Sequence, residues 1–173
     1  MVDTQRDTVT LLSLLADNTS REISPQDLRD ALVSVLGGFG AFSLKDGATP
    51  QTFSTSPTKF TGWSAISASN GAAPNILTKE LTVALAGWYL VFAPLTCSGP
   101  AGRTFEARIR LNDVETNFGH RGTFPASGTL TLPLIGLVIA GAANDRISVY
   151  GEADQASTDV VGIDGLFAAK RIG

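Results

Sequence analysis

The chain has 173 residues, 43% of them apolar and 17% charged, with 18 glycines and a net charge of −3. That is enough apolar material for one core, and the Gly, Ser and Thr content favours a β-rich fold with many turns. A mildly acidic chain without a Lys/Arg run lacks the electrostatic footprint of a nucleic-acid binder.

No apolar run approaches the roughly 20 residues needed to cross a bilayer. The opening MVDTQRDTVT has neither the basic nor the apolar region of a secretory signal. The expectation is a chain made in a cytoplasm, without nucleic acid and without membrane insertion. Cys97 is the single cysteine, so no intrachain disulfide forms and stability has to come from packing or association.

Residues 1–22 carry Val9, Leu11, Leu12, Leu14 and Leu15 in a run too short to fix a period, which suits an extended segment that depends on a partner. A helix is expected over 25–36. Ser24 caps it, Pro25 occupies the first helical position, Asp27 completes a capping-box-like pattern, and Ile23 staples to Leu28. Leu28, Ala31, Leu32, Val35 and Leu36 recur at helical spacing before Gly37-Gly38 stops the helix. At about 12 residues such a helix is marginal alone, so its apolar stripe needs something to lie on.

Residues 37–59 are dominated by Gly, Ser, Thr and Pro, and Phe39, Phe42 and Phe53 match no regular period. They predict a linker laid along a surface, with a domain boundary near Lys59. From there strands are expected at 60–67, 80–85, 88–98, 104–112, 115–122, 128–140, 146–152 and 161–172, separated by Gly/Pro/Asn/Ser turns. Eight strands in about 110 residues fit a two-sheet jelly roll. The stretch from Gly128 to Tyr150 is the centre of this pattern. Leu130, Leu132 and Leu134, then Leu137 and Ile139 after a bulge at Pro133 and Gly136, are expected to face the core; Asn144 and Asp145 turn the chain, and Ile147 and Val149 return.

With these strands placed, residues 60–173 resemble a C1q/TNF-like jelly roll. The resemblance is carried by Gly87-Trp88-Tyr89-Leu90-Val91-Phe92, Ile109-Arg110-Leu111-Asn112-Asp113, the Leu137 to Tyr150 pair and the closing Leu166-Phe167-Ala168-Ala169-Lys170-Arg171-Ile172. Asp113 stands where that pattern has Gly, and Ala142-Ala143-Asn144 lengthens a turn. Leu15 to Asp30 is similar to a segment found near the start of tailed-phage virion proteins such as fibres and head-decoration proteins, with Arg21 where a Gly is usual. Together the two resemblances imply an N-terminal anchor, 1–36, joined to a trimeric jelly-roll knob.

Strand alternation gives the candidate interface. If Tyr89 and Val91 point inward, Trp88, Leu90 and Phe92 point out, and three large apolar residues on an outer face need cover. In the resembled family this face is the threefold interface and also takes the residue before the last-strand Phe, here Leu166. An alternative cover is the linker or the N-terminal segment of the same chain. The candidate attachment residues are Ile23, Leu28, Leu32, Val35 and Leu36.

No catalytic constellation stands out. His120 is the single histidine, and a lone strand or loop histidine is ordinarily structural, although a threefold axis could gather three of them. Cys97 lies in an apolar strand without basic neighbours, as a small buried hydrophobe does. Asp145, Glu152, Asp154, Asp159 and Asp164 lack the spacing of a compact oxygen cage for Ca²⁺. With no such site in the sequence, the two resemblances imply a non-enzymatic virion protein with no cofactor and no metal. It would be a homotrimeric head-decoration (cement) or head-fibre protein bound to the major capsid protein or another virion protein. The alternative is a tail receptor-binding protein that recognises a host surface glycan or protein. A polysaccharide depolymerase fits poorly, since no paired carboxylates can be located.

Overall fold

The computed structural model describes residues 39–45, 49–63, 65–70 and 72–172. The expected helix over 25–36, and with it Ile23, Leu28, Leu32, Val35 and Leu36, lies outside the described residues. Within them the chain forms strands β1 (Phe39–Lys45), β2 (Gln51–Phe53), β3 (Thr58–Lys59), β4 (Ala65–Asn70), β5 (Ala72–Asn75), β6 (Glu80–Val83), β7 (Gly87–Phe92), β8 (Leu95–Ser98), β9 (Thr104–Leu111), β10 (Val114–Thr123), β11 (Thr129–Leu132), β12 (Ile135–Ala140), β13 (Arg146–Ala153) and β14 (Thr158–Arg171). Every pairing is antiparallel.

Two sheets result. In the first, β14 runs through the middle: β1 and then β4 lie on one side, and on the other β7 and β8 are followed by their partners β12 and β11. The expected strands 88–98 and 128–140 each break once, at Ala93-Pro94 and at Pro133-Leu134, because proline cannot donate to a ladder. The second sheet runs β10-β9-β13-β6-β5, and β3 continues the edge of β13 beyond β6.

The expected linker is the largest departure from the sequence reading. Residues 39–45 form β1 in full register with β14, and β2 and β3 extend the two sheets. Phe42, Leu44 and Phe53 are all buried. The strand signal lies in Phe42 and Leu44, two apart and both inward, while the phenylalanine spacing alone hides it. There is accordingly no domain boundary at Lys59, and the folded unit extends back to Phe39.

These early residues also complete the core. A chain of aromatic contacts runs from Phe42 to Phe167 (5.8 Å between centroids), Trp63 (5.5 Å), Phe60 (5.2 Å), Phe53 (6.3 Å), Phe105 (5.0 Å) and Phe124 (6.3 Å). Three of those seven rings come from residues 42–60. Gly151 leaves the space they need: a Cβ there would stand 2.6 Å from both Phe53 and Phe105.

The phase of β12 is the second correction. Leu137 and Ile139 do not face the core; Gly136, Val138 and Ala140 do, in continuous alternation with Leu132 and Leu134. The break at Pro133 does not shift the phase. Gly136 explains why small residues are needed inside at this point, since a Cβ there would lie 2.6 Å from Phe118 and 2.8 Å from Ile109. Phe118 closes this flank of the sandwich between β10 and β12, and the larger side chains of β12 are turned outward.

Candidate functional site

The outer face of the first sheet carries a grid built by register. Ile139 pairs with Trp88, and the backbone N–H of Ile172 donates to the Trp88 carbonyl (2.9 Å). Leu137 pairs with Leu90, which pairs on its other side with Lys170. Ile135 pairs with Phe92, which pairs with Ala168. Two residues further along β14, Leu166 stands on the same face, with its N–H directed to Pro94 O. Trp88, Phe92, Ile135, Leu137, Ile139, Leu166 and Ile172 are each between 37 and 55% exposed, and Leu90 among them is half-buried.

Large apolar side chains exposed singly are ordinary, but a contiguous set of this size marks a contact surface. The structure brings Trp88, Leu90, Phe92 and Leu166 onto one outward face. Ile135, Leu137, Ile139 and Ile172 belong with them and escaped the sequence reading. Carrying the alternation of Leu130, Leu132 and Leu134 unbroken through Pro133 would have found the β12 row.

The outer face of the second sheet is its opposite in chemistry. Glu80, almost fully buried, receives Lys59 Nζ at 2.5 Å and Arg146 at 3.5 Å. Asp113 lies 3.4 Å from Lys59 and 3.3 Å from Arg146, and accepts the Tyr150 hydroxyl at 2.8 Å. Arg110 stacks over the Tyr150 ring (4.3 Å), and Arg108 bridges Glu106 and Glu115.

The pKa directions follow this network. The hydrogen bond from Tyr150, with Lys59 and Arg146 nearby, holds Asp113 below the usual carboxylate value, while partial burial opposes this. Burial pulls Lys59 down, but its hydrogen bond and charge pairing with Glu80 outweigh that and leave it raised. Burial, reinforced by the bond to Asp113, raises Tyr150. Asn112 and Asp113 both have positive φ (51° and 64°), as a two-residue type I′ hairpin turn requires. Asp113 thus occupies the position where the resembled pattern has Gly, and three partners hold it there.

The remaining candidates are dispersed. Cys97 is fully buried in β8, and burial pushes its thiol up to about 12, far from a reactive thiolate. His120 is exposed on β10, opposite Ala107. Asp145 is occupied by Asn112 Nδ2 (2.8 Å) and the Ala142 N–H (3.0 Å), which hold its carboxyl low, and Asp159 accepts the Thr52 hydroxyl (2.5 Å). Glu152 and Asp154 share a shallow depression of about 40 Å³ with Thr104, Glu106 and Arg121. Among the described residues no three His, Cys, Asp or Glu side chains converge as metal ligands do.

No protein-family model matches the chain, and no curated protein matches it in sequence. Solved structures do match in fold. The TNF protein Eiger of S. frugiperda superposes with a TM-score of 0.56 at 12% identity, over 79% of this chain and 94% of that one. Murine APRIL gives 0.56 at 13% identity, over 77% and 98%. The globular domain of zebrafish complement 1qA gives 0.54 at 11% identity, over 79% and 98%. The two-sheet sandwich, with its aromatic core and its apolar outer face, is a C1q/TNF-like jelly roll.

Proposed function

We propose that the chain is a non-enzymatic homotrimeric knob of a tailed-phage virion, a head-decoration (cement) or head-fibre protein anchored through residues 1–36. The observation that carries the trimer is the apolar grid on the first sheet. It reaches from the central strand β14 to the edge strand β12, so each copy can offer a face and an edge to its neighbours, as a closed ring of identical subunits needs. The C1q/TNF-like resemblance implies threefold packing through this same face. The virion assignment is supported by the Leu15 to Asp30 pattern, and three linked anchors raise the effective concentration for docking.

Light scattering tests the assembly. Wild type should have the mass of three chains, and Phe92→Asp, which sets three carboxylates into the grid, should be monomeric while retaining its fold. A Phe92→Asp trimer of unchanged Tm would move the interface elsewhere. Removing residues 1–38 should leave a folded trimer that no longer decorates stripped particles; undiminished binding would make the jelly roll itself the attachment surface. Copy number separates the locations. Hundreds per particle mean the head; a few or a few tens mean the tail and favour the receptor-binding reading.

A further inference from the structure

The grid is almost uniform, and one position breaks it. Its three rows are Ile139–Trp88–Ile172, Leu137–Leu90–Lys170 and Ile135–Phe92–Ala168. Lys170 carries the one charge in those rows. Its side chain is exposed, and among the described residues it has no carboxylate within ion-pair distance and no hydrogen-bond acceptor.

Apolar contact is non-directional. A neighbouring copy displaced by one row, two residues along the strands, would again set large apolar side chains against large apolar side chains, because the rows repeat with the strand period. Such a slip would give up contact at the end row but keep apolar against apolar in the others. The ammonium of Lys170 does change: an unpaired charge buried against Leu, Ile or Trp is strongly unfavourable, whereas one met by a carboxylate or led to water along its stem is tolerated. We propose that Lys170 is the register-setting residue of the association, rejecting slipped arrangements that the apolar rows alone would accept. A single polar residue in an otherwise apolar seam selects register in coiled coils by the same logic, at a cost in stability. The inference rests on the trimer reading above and goes further by naming what makes the trimer unique.

The test compares full-length wild type, Lys170→Met and Lys170→Arg by sedimentation, thermal unfolding and lysine-independent chemical cross-linking. Lys170→Met should raise Tm by about 2–4 °C while splitting the single trimer into more than one species or doubling its cross-link pattern. Lys170→Arg, which keeps the charge and the stem, should retain one species. If Lys170→Met remains a single trimer with the wild-type cross-links, Lys170 is a solvated rim charge and this inference fails while the trimer stands. If wild type itself sediments as a monomer, both readings fall.

Discussion

The outer faces of the two sheets have the same geometry and opposite chemistry. Both are antiparallel surfaces presenting every second residue, yet the β12–β7–β14 part of the first shows Trp, Phe, Ile and Leu around one lysine, and the second shows Lys59, Glu80, Arg108, Arg110, Asp113 and Tyr150 joined to one another. The charged face pairs most of its groups within one chain, although Arg110 Nε and Ser148 Oγ are buried there without a hydrogen-bond partner. Its buried carboxylate has two cations, its turn aspartate has three partners, and Arg110 has an aromatic ring. The apolar face is incomplete, because nothing among the described residues covers it. The trimer reading therefore takes the uncovered apolar side as the one that assembles.

The largest break in this comparison removes what supports both faces. Deleting residues 1–59 takes β1 from beside β14 in the first sheet and Lys59 from the network of the second. It also removes Phe42 and Phe53 from the aromatic core, where each truncation to alanine would already cost about 3–5 kcal/mol. This fragment should show no cooperative melting transition, whereas residues 39–173 should melt cooperatively. A folded 60–173 fragment would restore the boundary at Lys59 that the sequence predicts.

A smaller effect separates the faces directly. Leu137→Asp puts a charge on the apolar grid, where full burial of each large side chain is worth about 1.5–3 kcal/mol, so association should weaken at least a hundredfold by sedimentation. Arg108→Ala removes two ion pairs from the partly exposed charged face. It should shift stability by no more than about 1 kcal/mol, and association not at all. Equal effects of the two substitutions on association would end the distinction.

Much of this contrast was legible in the chain itself. Trp88, Leu90 and Phe92 announce an outward apolar row through plain alternation, and Tyr89 and Val91 take the inward places. Leu137 and Ile139 misled for a physical reason: hydrophobicity ordinarily points inward, and here Phe118 and Ile109 already fill the space behind β12, leaving room for Gly136 and sending the larger residues out. Residues 37–59 read as a linker because Gly40, Ala41 and Ser43 dilute the Phe42-x-Leu44 alternation of β1 and give it little intrinsic β preference. It is held by pairing with β14 and by stacking on Phe167. The charged network could not be read at all, since Lys59, Glu80, Asp113 and Arg146 meet only through the sheet register.

The smallest expected effect tests that network by pH. Asp113→Asn keeps the side-chain shape, and Asn tolerates the positive φ of the turn, so the change is chiefly one of charge. The folded-state pKa of Asp113 is depressed, first by the Tyr150 hydrogen bond and then by Lys59 and Arg146. A depressed carboxylate contributes stability that is present above its unfolded pKa, about 3.9, and is lost as pH falls through the folded value. The Tm gap between wild type and Asp113→Asn should therefore be steady from about pH 5 to 8 and close below about pH 4. With the side chain 43% exposed, the gap should correspond to less than about 1 kcal/mol and shrink in high salt. Asp145 is depressed too, by Asn112 and the Ala142 N–H, but it is common to both proteins and cancels in the difference. Lys59, raised by Glu80, loses its contribution only above about pH 10.5 and leaves this window untouched. A gap that persists unchanged down to pH 3 would mean that Asp113 acts through the geometry of the turn and that its ion pairs contribute nothing to the charged face.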